Sequence, residues 1–134
     1  MDMNLEEIKE LLGKLSQKER EKLFANLRRI NFYFKINKSF LNYSAHPLTI
    51  PKEFYAFLDI HGILKKQDAT IVFPDGSTAA GYICCSKAGW GVYHQIKIRS
   101  SYSGTGMSGL KIGDTIKVEI YKIDEKTRIE LTSQ

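Results

Sequence analysis

Two long stretches of this 134-residue chain contain basic residues and no acidic ones. Phosphate groups bind best where no carboxylate cancels the positive field, because much of the affinity comes from released counterions. The pattern therefore favours a polyanion-binding surface, with a chance gap in acids and plainly solvated lysines as the alternative. The first stretch covers positions 22–52 and carries Lys22, Arg28, Arg29, Lys35, Lys38 and Lys52. The second covers positions 76–113 and carries Lys87, Lys97, Arg99 and Lys111.

The bulk composition excludes several classes of protein. The length predicts one domain, and no apolar run approaches the roughly 18 residues of a membrane span. Asp2, Glu6 and Glu7 at the start argue against a signal or transit peptide. Cys84 and Cys85 are adjacent, which suits neither a disulfide nor a metal cage. A cytoplasmic, reducing setting is expected, with no membrane partner.

The residue types that could support catalysis lack a convincing arrangement. Pro74 and Asp75, together with Asp124, Glu125 and Lys126, spell the metal-site pattern of restriction-type nucleases, but both segments are predicted to be turn tips. Carboxylates that hold a metal need to converge from rigid neighbouring strands. The three histidines have no metal-ligand spacing, and neither cysteine has an evident base. We therefore expect no catalytic centre, metal or cofactor.

The elements that must position the basic residues begin with a helix pair. Asn4 can cap a first helix that weakens at Gly13, and Ser16 with Glu19 forms a capping box for a second helix. Leucines, phenylalanine and isoleucine continue at helical spacing as far as Ile30. The first 30 residues are thus predicted to be a helical hairpin packed on the remainder.

From residue 31 the apolar period changes to two, which is typical of strands. Pro51 is predicted to begin one interior helix, which Gly62 ends. The fold class is mainly β with helices (α+β), an open barrel of seven strands with one interior helix, formed by residues 31–134 as one compact unit. The predicted strands are 32–37, 48–50, 69–73, 78–85, 92–99, 115–123 and 127–131.

Three ordered landmarks carry a family resemblance over about residues 31–123. They are Leu-Thr-Ile-Pro-Lys-Glu-Phe at 48–54, Val-Phe-Pro-Asp-Gly at 72–76, and Gly-Leu-Lys-Ile-Gly-Asp at 109–114, running into the Val-Glu-Ile of 118–120. Together they resemble the B-three DNA-binding pseudobarrel of plant transcription factors. The same fold targets DNA in bacterial restriction endonucleases such as EcoRII. The landmarks themselves are structural and identify the barrel.

The resemblance implies a grip on the DNA major groove by two arms. Mapped onto this chain, the N-arm is the segment 35–49, expected to be a hairpin, and the C-arm is the strand-loop-strand 85–99. Both arms fall inside the acid-free stretches that the charge pattern defines independently. Arg28, Arg29 and Lys111 share those stretches but are expected to lie off the grip.

Within the arms, residue type predicts each role. Asn and Gln can pair bidentately with adenine, Lys and Arg reach guanine or phosphate, and Ser and Tyr hydroxyls suit phosphate oxygens. The N-arm candidates are Lys35, Asn37, Lys38, Ser39, Asn42, Tyr43, Ser44 and His46. The C-arm candidates are Ser86, Lys87, Trp90, Tyr93, Gln95, Lys97 and Arg99.

Alternation predicts that Tyr93, Gln95, Lys97 and Arg99 share one face, and that Val92, His94, Ile96 and Ile98 share the other. Several candidates have a second interpretation. Asn42 and Ser44 can be simple turn formers. Trp90, between two glycines, is interpreted as a plug of the barrel end in preference to a base-stacking residue. His94 is interpreted as a core histidine in preference to a DNA contact.

The expected partner is double-stranded DNA, read sequence-specifically by the target-recognition domain of a larger restriction-modification protein. A nuclease or motor domain or subunit of the same restriction system would then supply the reaction. Three alternatives stay open: a small barrel that binds single-stranded nucleic acid or RNA, a transcriptional regulator, and a protein-interaction barrel.

Overall fold

A computed structural model describes residues 2–63, 68–99 and 109–133. In these residues eight strands form one open mixed sheet in the order β1-β2-β7-β8-β4-β5-β6-β3. The strands are β1 Asp2–Asn4, β2 Arg29–Lys35, β3 Leu48–Thr49, β4 Asp68–Val72, β5 Thr78–Ala88, β6 Gly91–Ile98, β7 Thr115–Ile123 and β8 Lys126–Ser133. The helices are α1 Leu5–Leu12, α2 Gln17–Asn26, α3 Lys38–Asn42 and α4 Tyr55–Ile60, the last preceded by a 3-10 turn, Lys52–Phe54.

The mainly β, α+β class is confirmed, and each of the seven predicted strands has a counterpart. The eighth strand is the short β1, which pairs in parallel with β2. Its three residues carry no periodicity, and its partner lies 27 positions further along the chain, from Asp2 to Arg29. The sheet therefore has one strand more than the seven predicted, and the addition comes from the residues that lead into α1, where only a helix was predicted.

The two N-terminal helices are confirmed, but the second ends earlier than predicted. The capping box is present: the Ser16 hydroxyl accepts from the Glu19 N–H, and Glu19 accepts from the Ser16 N–H. Helical spacing predicted continuation to Ile30, whereas Leu27 is extended and Ile30 is fully buried in β2. Pairing with β7 overrides the helical pattern here, since it buries Ile30 in the sheet. Ile8, Phe24 and Leu27 are buried in the same cluster as the sheet residues.

The predicted interior helix is present but shorter: a 3-10 turn follows Pro51, and α4 runs from Tyr55 to Ile60, two residues before Gly62. The 3-10 turn and α4 bury Phe54, Phe57 and Leu58 against the sheet. Gly62 has a φ of 66°, a conformation that favours glycine. No helix in the described parts of the chain is long and apolar enough to cross a membrane.

Candidate nucleic-acid interface

The C-arm is the far end of the β5–β6 hairpin. Strand β5 pairs with β4 only as far as Tyr82, and β6 pairs with β3 only at Gln95 and Ile96. The hairpin pairing itself continues to Ala88 opposite Gly91. Among the described strands the C-arm is therefore a two-stranded ribbon that extends beyond the sheet. At about 3.4 Å per residue, the four steps from Cys84 to Ala88 span roughly 14 Å.

The outward face of this ribbon carries the predicted polar row. Tyr93, Gln95 and Lys97 are partly exposed, while His94, Ile96 and Ile98 are buried on the other face. Directly opposite residues on paired strands share a face, so Ser86 lies beside Tyr93. The predicted alternation is confirmed along β6; Val92 shares the face of His94, Ile96 and Ile98 but is 47% exposed. Val92 sits where the ribbon has left the core, so nothing in the sheet covers it.

The tip of the C-arm carries the most exposed large hydrophobic residue described. Trp90 lies in the two-residue connection between β5 and β6 and is 77% exposed. Its ring stacks on Tyr93, with 5.3 Å between centroids and 26° between planes. The interpretation of Trp90 as a plug of the barrel end is thus wrong. Flanking glycines suggested a residue folded inward, but two-residue connections project from a sheet.

Arg99, at the base of the C-arm, is engaged within the protein. Its guanidinium forms an ion pair with the Asp68 carboxylate and lies over the Tyr82 ring, 4.9 Å from the centroid. Asp68 is on β4, outside the acid-free stretch, and the fold brings it to Arg99. Counting charges along the sequence could not reveal this pairing. Lys87, in contrast, is exposed beside Val92 near the tip.

His94 lies on the inner face, at the root of the ribbon. Its side chain is 6% exposed, and its ring lies 4.1 Å from the Tyr55 ring centroid. The Tyr55 hydroxyl accepts a hydrogen bond from the His94 backbone N–H at 3.1 Å. In the described residues Nδ1 has no hydrogen-bond partner, and burial lowers the pKa of the imidazole. His94 is therefore buried in the core as interpreted, but it is not the fully hydrogen-bonded core histidine that was expected.

The N-arm differs from its predicted hairpin because a short helix, α3, follows β2. The Asn37 side chain caps this helix by accepting from the Phe40 N–H at 2.9 Å. Asn37 is a recognised helix-capping residue type, and this signal in the sequence was missed. Phe40 is fully buried against Phe34, with 5.5 Å between ring centroids. The polar N-arm thus has an apolar anchor.

The polar residues of the N-arm fall into two groups. Asn37 and His46 are both hydrogen-bonded to the Phe40 backbone, Asn37 to its N–H at 2.9 Å and His46 Nδ1 to its carbonyl oxygen at 2.6 Å. The His46 backbone is left-handed at a φ of 45°. The others are exposed at the surface: Lys35, Lys38, Ser39, Asn42, Tyr43 and Ser44. Tyr43 is 62% exposed, the highest value for a large hydrophobic residue of this arm.

The two arms are joined along one strand edge. The Ile50 N–H donates to the His94 carbonyl at 3.0 Å, and the Ile98 N–H donates to the Ala45 carbonyl at 2.8 Å. Between these bonds, Thr49 of β3 lies directly opposite Gln95 of β6. Segment 45–50 therefore runs along the outer edge of β6. Thr49 and Gln95 share a face, so the arms present one continuous surface at this point.

The root of the N-arm is held by the glycine turn of the third landmark. The Gly113 N–H donates to the Ile36 carbonyl at 2.9 Å, and the Ile36 N–H donates to the Asp114 carbonyl at 2.8 Å. Gly113 has a φ of 94°, which a side chain would strain. This turn fixes where β2 ends and where the N-arm begins.

Two basic residues set aside at the sequence level lie in a different surface region. Arg29 forms an ion pair with Glu119 at 3.1 Å and lies over the Tyr121 ring. Arg28 and Arg29 line a recess of about 420 Å³ beside Lys122. Arg29 pairs with Tyr121 whereas Lys35 pairs with Thr115, so this recess is at the far end of the β2–β7 pair from the N-arm.

The carboxylates of the nuclease-like pattern are at turn tips. Asp75 accepts hydrogen bonds from the Ser77 hydroxyl and N–H, which lower the pKa of its carboxyl. Asp124 and Glu125 form the β7–β8 turn with positive φ values of 50° and 65°. In residues 2–63, 68–99 and 109–133, no three His, Cys, Asp or Glu side chains are grouped so that they could hold a metal ion.

The sequence was compared with protein-family models and with curated proteins. No protein-family model matches the chain, and no curated protein matches it.

Proposed function

We propose that this chain binds double-stranded DNA sequence-specifically, with the N-arm and the C-arm entering the major groove. In this proposal the fold is a B-three-type pseudobarrel, which the three landmarks resemble. It makes the chain the target-recognition domain of a larger restriction-modification protein, without a catalytic centre of its own. A nuclease or motor domain or subunit of that system would perform the reaction.

The observation that carries this proposal is the joining of the two basic segments along β6. They are separate in the sequence, yet Thr49 and Gln95 lie side by side on a common face. A surface that grips a duplex needs contacts from both segments at a fixed separation, and hydrogen bonds to β6 provide that fixed relation.

The shape of the C-arm also favours double-stranded DNA as the ligand. The major groove is about 12 Å wide and 8.5 Å deep and admits a two-stranded ribbon. A ribbon that projects roughly 14 Å can lie in this groove with its outward face toward the bases, which brings the row of Tyr93, Gln95 and Lys97 to the DNA. Gln95 would then read a base, and Lys97 would contact a phosphate or guanine.

The test is the salt dependence of binding to duplex DNA. Removing one phosphate-contacting lysine should flatten the slope of log affinity against log salt by about one unit. We expect this for both Lys35→Ala and Lys97→Ala, measured by anisotropy of a labelled duplex. Lys126→Ala, an exposed lysine at the β7–β8 turn, is the matched control and should leave the slope unchanged. Unchanged slopes in both arm variants would contradict the proposal.

A second candidate, binding of single-stranded nucleic acid, is favoured by the exposed ring of Trp90. Bases of a single strand stack on such rings with little regard to sequence. Titration of duplex and single-stranded oligonucleotides of matched sequence separates the two. Tighter binding to the single strand would contradict the two-arm grip, and indifference to all nucleic acids would favour a protein-interaction barrel.

A further inference from the structure

We propose that the Trp90–Tyr93 stack at the tip of the C-arm binds one unpaired nucleobase, so that the protein prefers DNA in which a base has left the helix. This inference rests on the proposed function and adds a ligand class for the tip. It concerns a different contact from the polar row, because a ring face recognises the face of a base and a polar side chain recognises its edge.

The first step is that the tip is built to present a ring. Trp90 is 77% exposed although burying an indole is strongly favourable. Tyr93 supports it from one side, 5.3 Å between centroids and 26° from parallel. Tyr93 itself is held by pairing with Ser86 in the β5–β6 ladder. The indole is therefore preorganised, with one face against Tyr93 and the other toward solvent.

The second step is that one open ring face suits one base. Wedge residues that separate stacked base pairs are inserted with a base on either side. Here a second ring already occupies one face of Trp90, and two stacked rings need about 7 Å, twice the rise of roughly 3.4 Å between neighbouring bases. Insertion of the pair into a stacked duplex is thus disfavoured. A base already out of the stack can lie on the open face without this cost.

The third step is the charge around the tip. No acidic residue occurs between positions 76 and 113, and Lys87 is exposed on the ribbon opposite Val92. By register Lys87 shares the face of Val92 and lies on the other face of the ribbon from Tyr93, so it adds positive charge near the tip without lying beside the stacked rings. A nucleotide brings a phosphate with its base, and positive charge near the tip attracts that phosphate. Among the described residues, the exposed large hydrophobic side chains of the tip are Trp90 and, on the other face from Tyr93, Val92. A stable protein interface requires a much larger area.

The experiment compares two labelled duplexes of identical sequence, one fully paired and one with a single unpaired adenine. Base–aromatic stacking is worth about 1–3 kcal/mol per base, so the bulged duplex should bind about 5-fold to 150-fold more tightly. Trp90 is the only tryptophan in the chain, so quenching of intrinsic fluorescence reports on this ring alone. We expect stronger quenching with the bulged duplex.

Three variants localise the effect. Trp90→Ala should reduce affinity for the bulged duplex to that for the paired one, and Trp90→Phe should retain most of the preference. Tyr33→Ala removes an exposed ring of β2 that lies outside both arms and should leave the preference unchanged. Because Trp90 is on an exposed turn, unchanged melting temperatures should accompany these results.

The outcomes separate this inference from the proposed function. Equal binding of the two duplexes by the wild-type protein, or a preference that survives Trp90→Ala, overturns the stacking inference alone. Failure to bind either duplex overturns the proposed function and this inference together. A preference lost only in Trp90→Ala, with quenching, supports both.

Discussion

The two arms reach the same surface by different kinds of structure. The C-arm is a regular ribbon in which alternation alone exposes every second side chain, so Tyr93, Gln95 and Lys97 face outward together. The N-arm is a short helix and a turn in which Asn37 and His46 bind the backbone of Phe40. In a strand the backbone forms the ladder, so outward polar side chains remain available to a ligand. In a compact turn some polar side chains form hydrogen bonds to the backbone of the turn itself.

If the N-arm depends on its apolar anchor, loss of Phe40 should have the largest effect. Truncation of a buried phenylalanine costs about 3–5 kcal/mol of stability, so Phe40→Ala should lower the free energy of unfolding in urea by that amount. Tyr43→Ala, an exposed ring of the same arm, should change it by less than about 0.5 kcal/mol. Equal losses in the two variants would contradict the division of the N-arm into anchor and surface.

The regular C-arm should tolerate substitution of its outward residues without loss of stability. Gln95→Ala should leave unfolding unchanged and cost about 1–3 kcal/mol of binding free energy on the preferred DNA sequence only. That sequence can be obtained by selection from a random duplex pool. Gln17→Ala, an exposed glutamine on α2 outside both arms, is the control. An equal loss on unrelated duplexes would show that Gln95 is not a base contact.

The inner side of the C-arm should respond to pH. Burial lowers the pKa of His94, so the unfolded chain takes up the proton first as the pH falls through about 6.5. The contribution of His94 to the free energy of unfolding is therefore fully present above this pH. It falls below this pH by at most about 1.4 kcal/mol per pH unit, until the pKa of His94 in the folded protein is reached. His94→Phe keeps a ring against Tyr55 and should flatten the dependence of urea unfolding between pH 8 and pH 5. Parallel profiles would exclude His94 as the source.

The smallest effect separates capping from base reading at Asn37. Asn37→Ala should cost about 1 kcal/mol of stability through loss of the cap of α3. Asn37→Ser retains a capping oxygen but lacks the amide that pairs with adenine. Because we expect Asn37 to act only as the cap of α3, this variant should match the wild type in both stability and DNA affinity. Weaker binding by a fully stable Asn37→Ser protein would return Asn37 to the role of a base reader.

The sequence was most informative where apolar periodicity is long and local. It predicted the seven strands β2 to β8, the Ser16 capping box and the helix after Pro51. It failed at β1, where the residues lead directly into the cap of α1 and only a helix was predicted, and at α2, where burial of Ile30 in the sheet outweighs helical spacing. The face of the C-arm followed from alternation, but Arg99 did not, because its partner Asp68 comes from another strand.

The bonds that join the arms have a further consequence for how the protein behaves in concentrated solution. An outermost strand offers unpaired N–H and C=O groups to which another chain can add itself. Segment 45–50 occupies those groups on β6, from the Ala45 carbonyl to the Ile50 N–H. Detachment of this segment would expose the unpaired backbone N–H and C=O groups of β6, which carries Ile96 and Ile98. Segment 45–50, which joins the two arms, therefore also covers this edge of β6 against pairing with another chain.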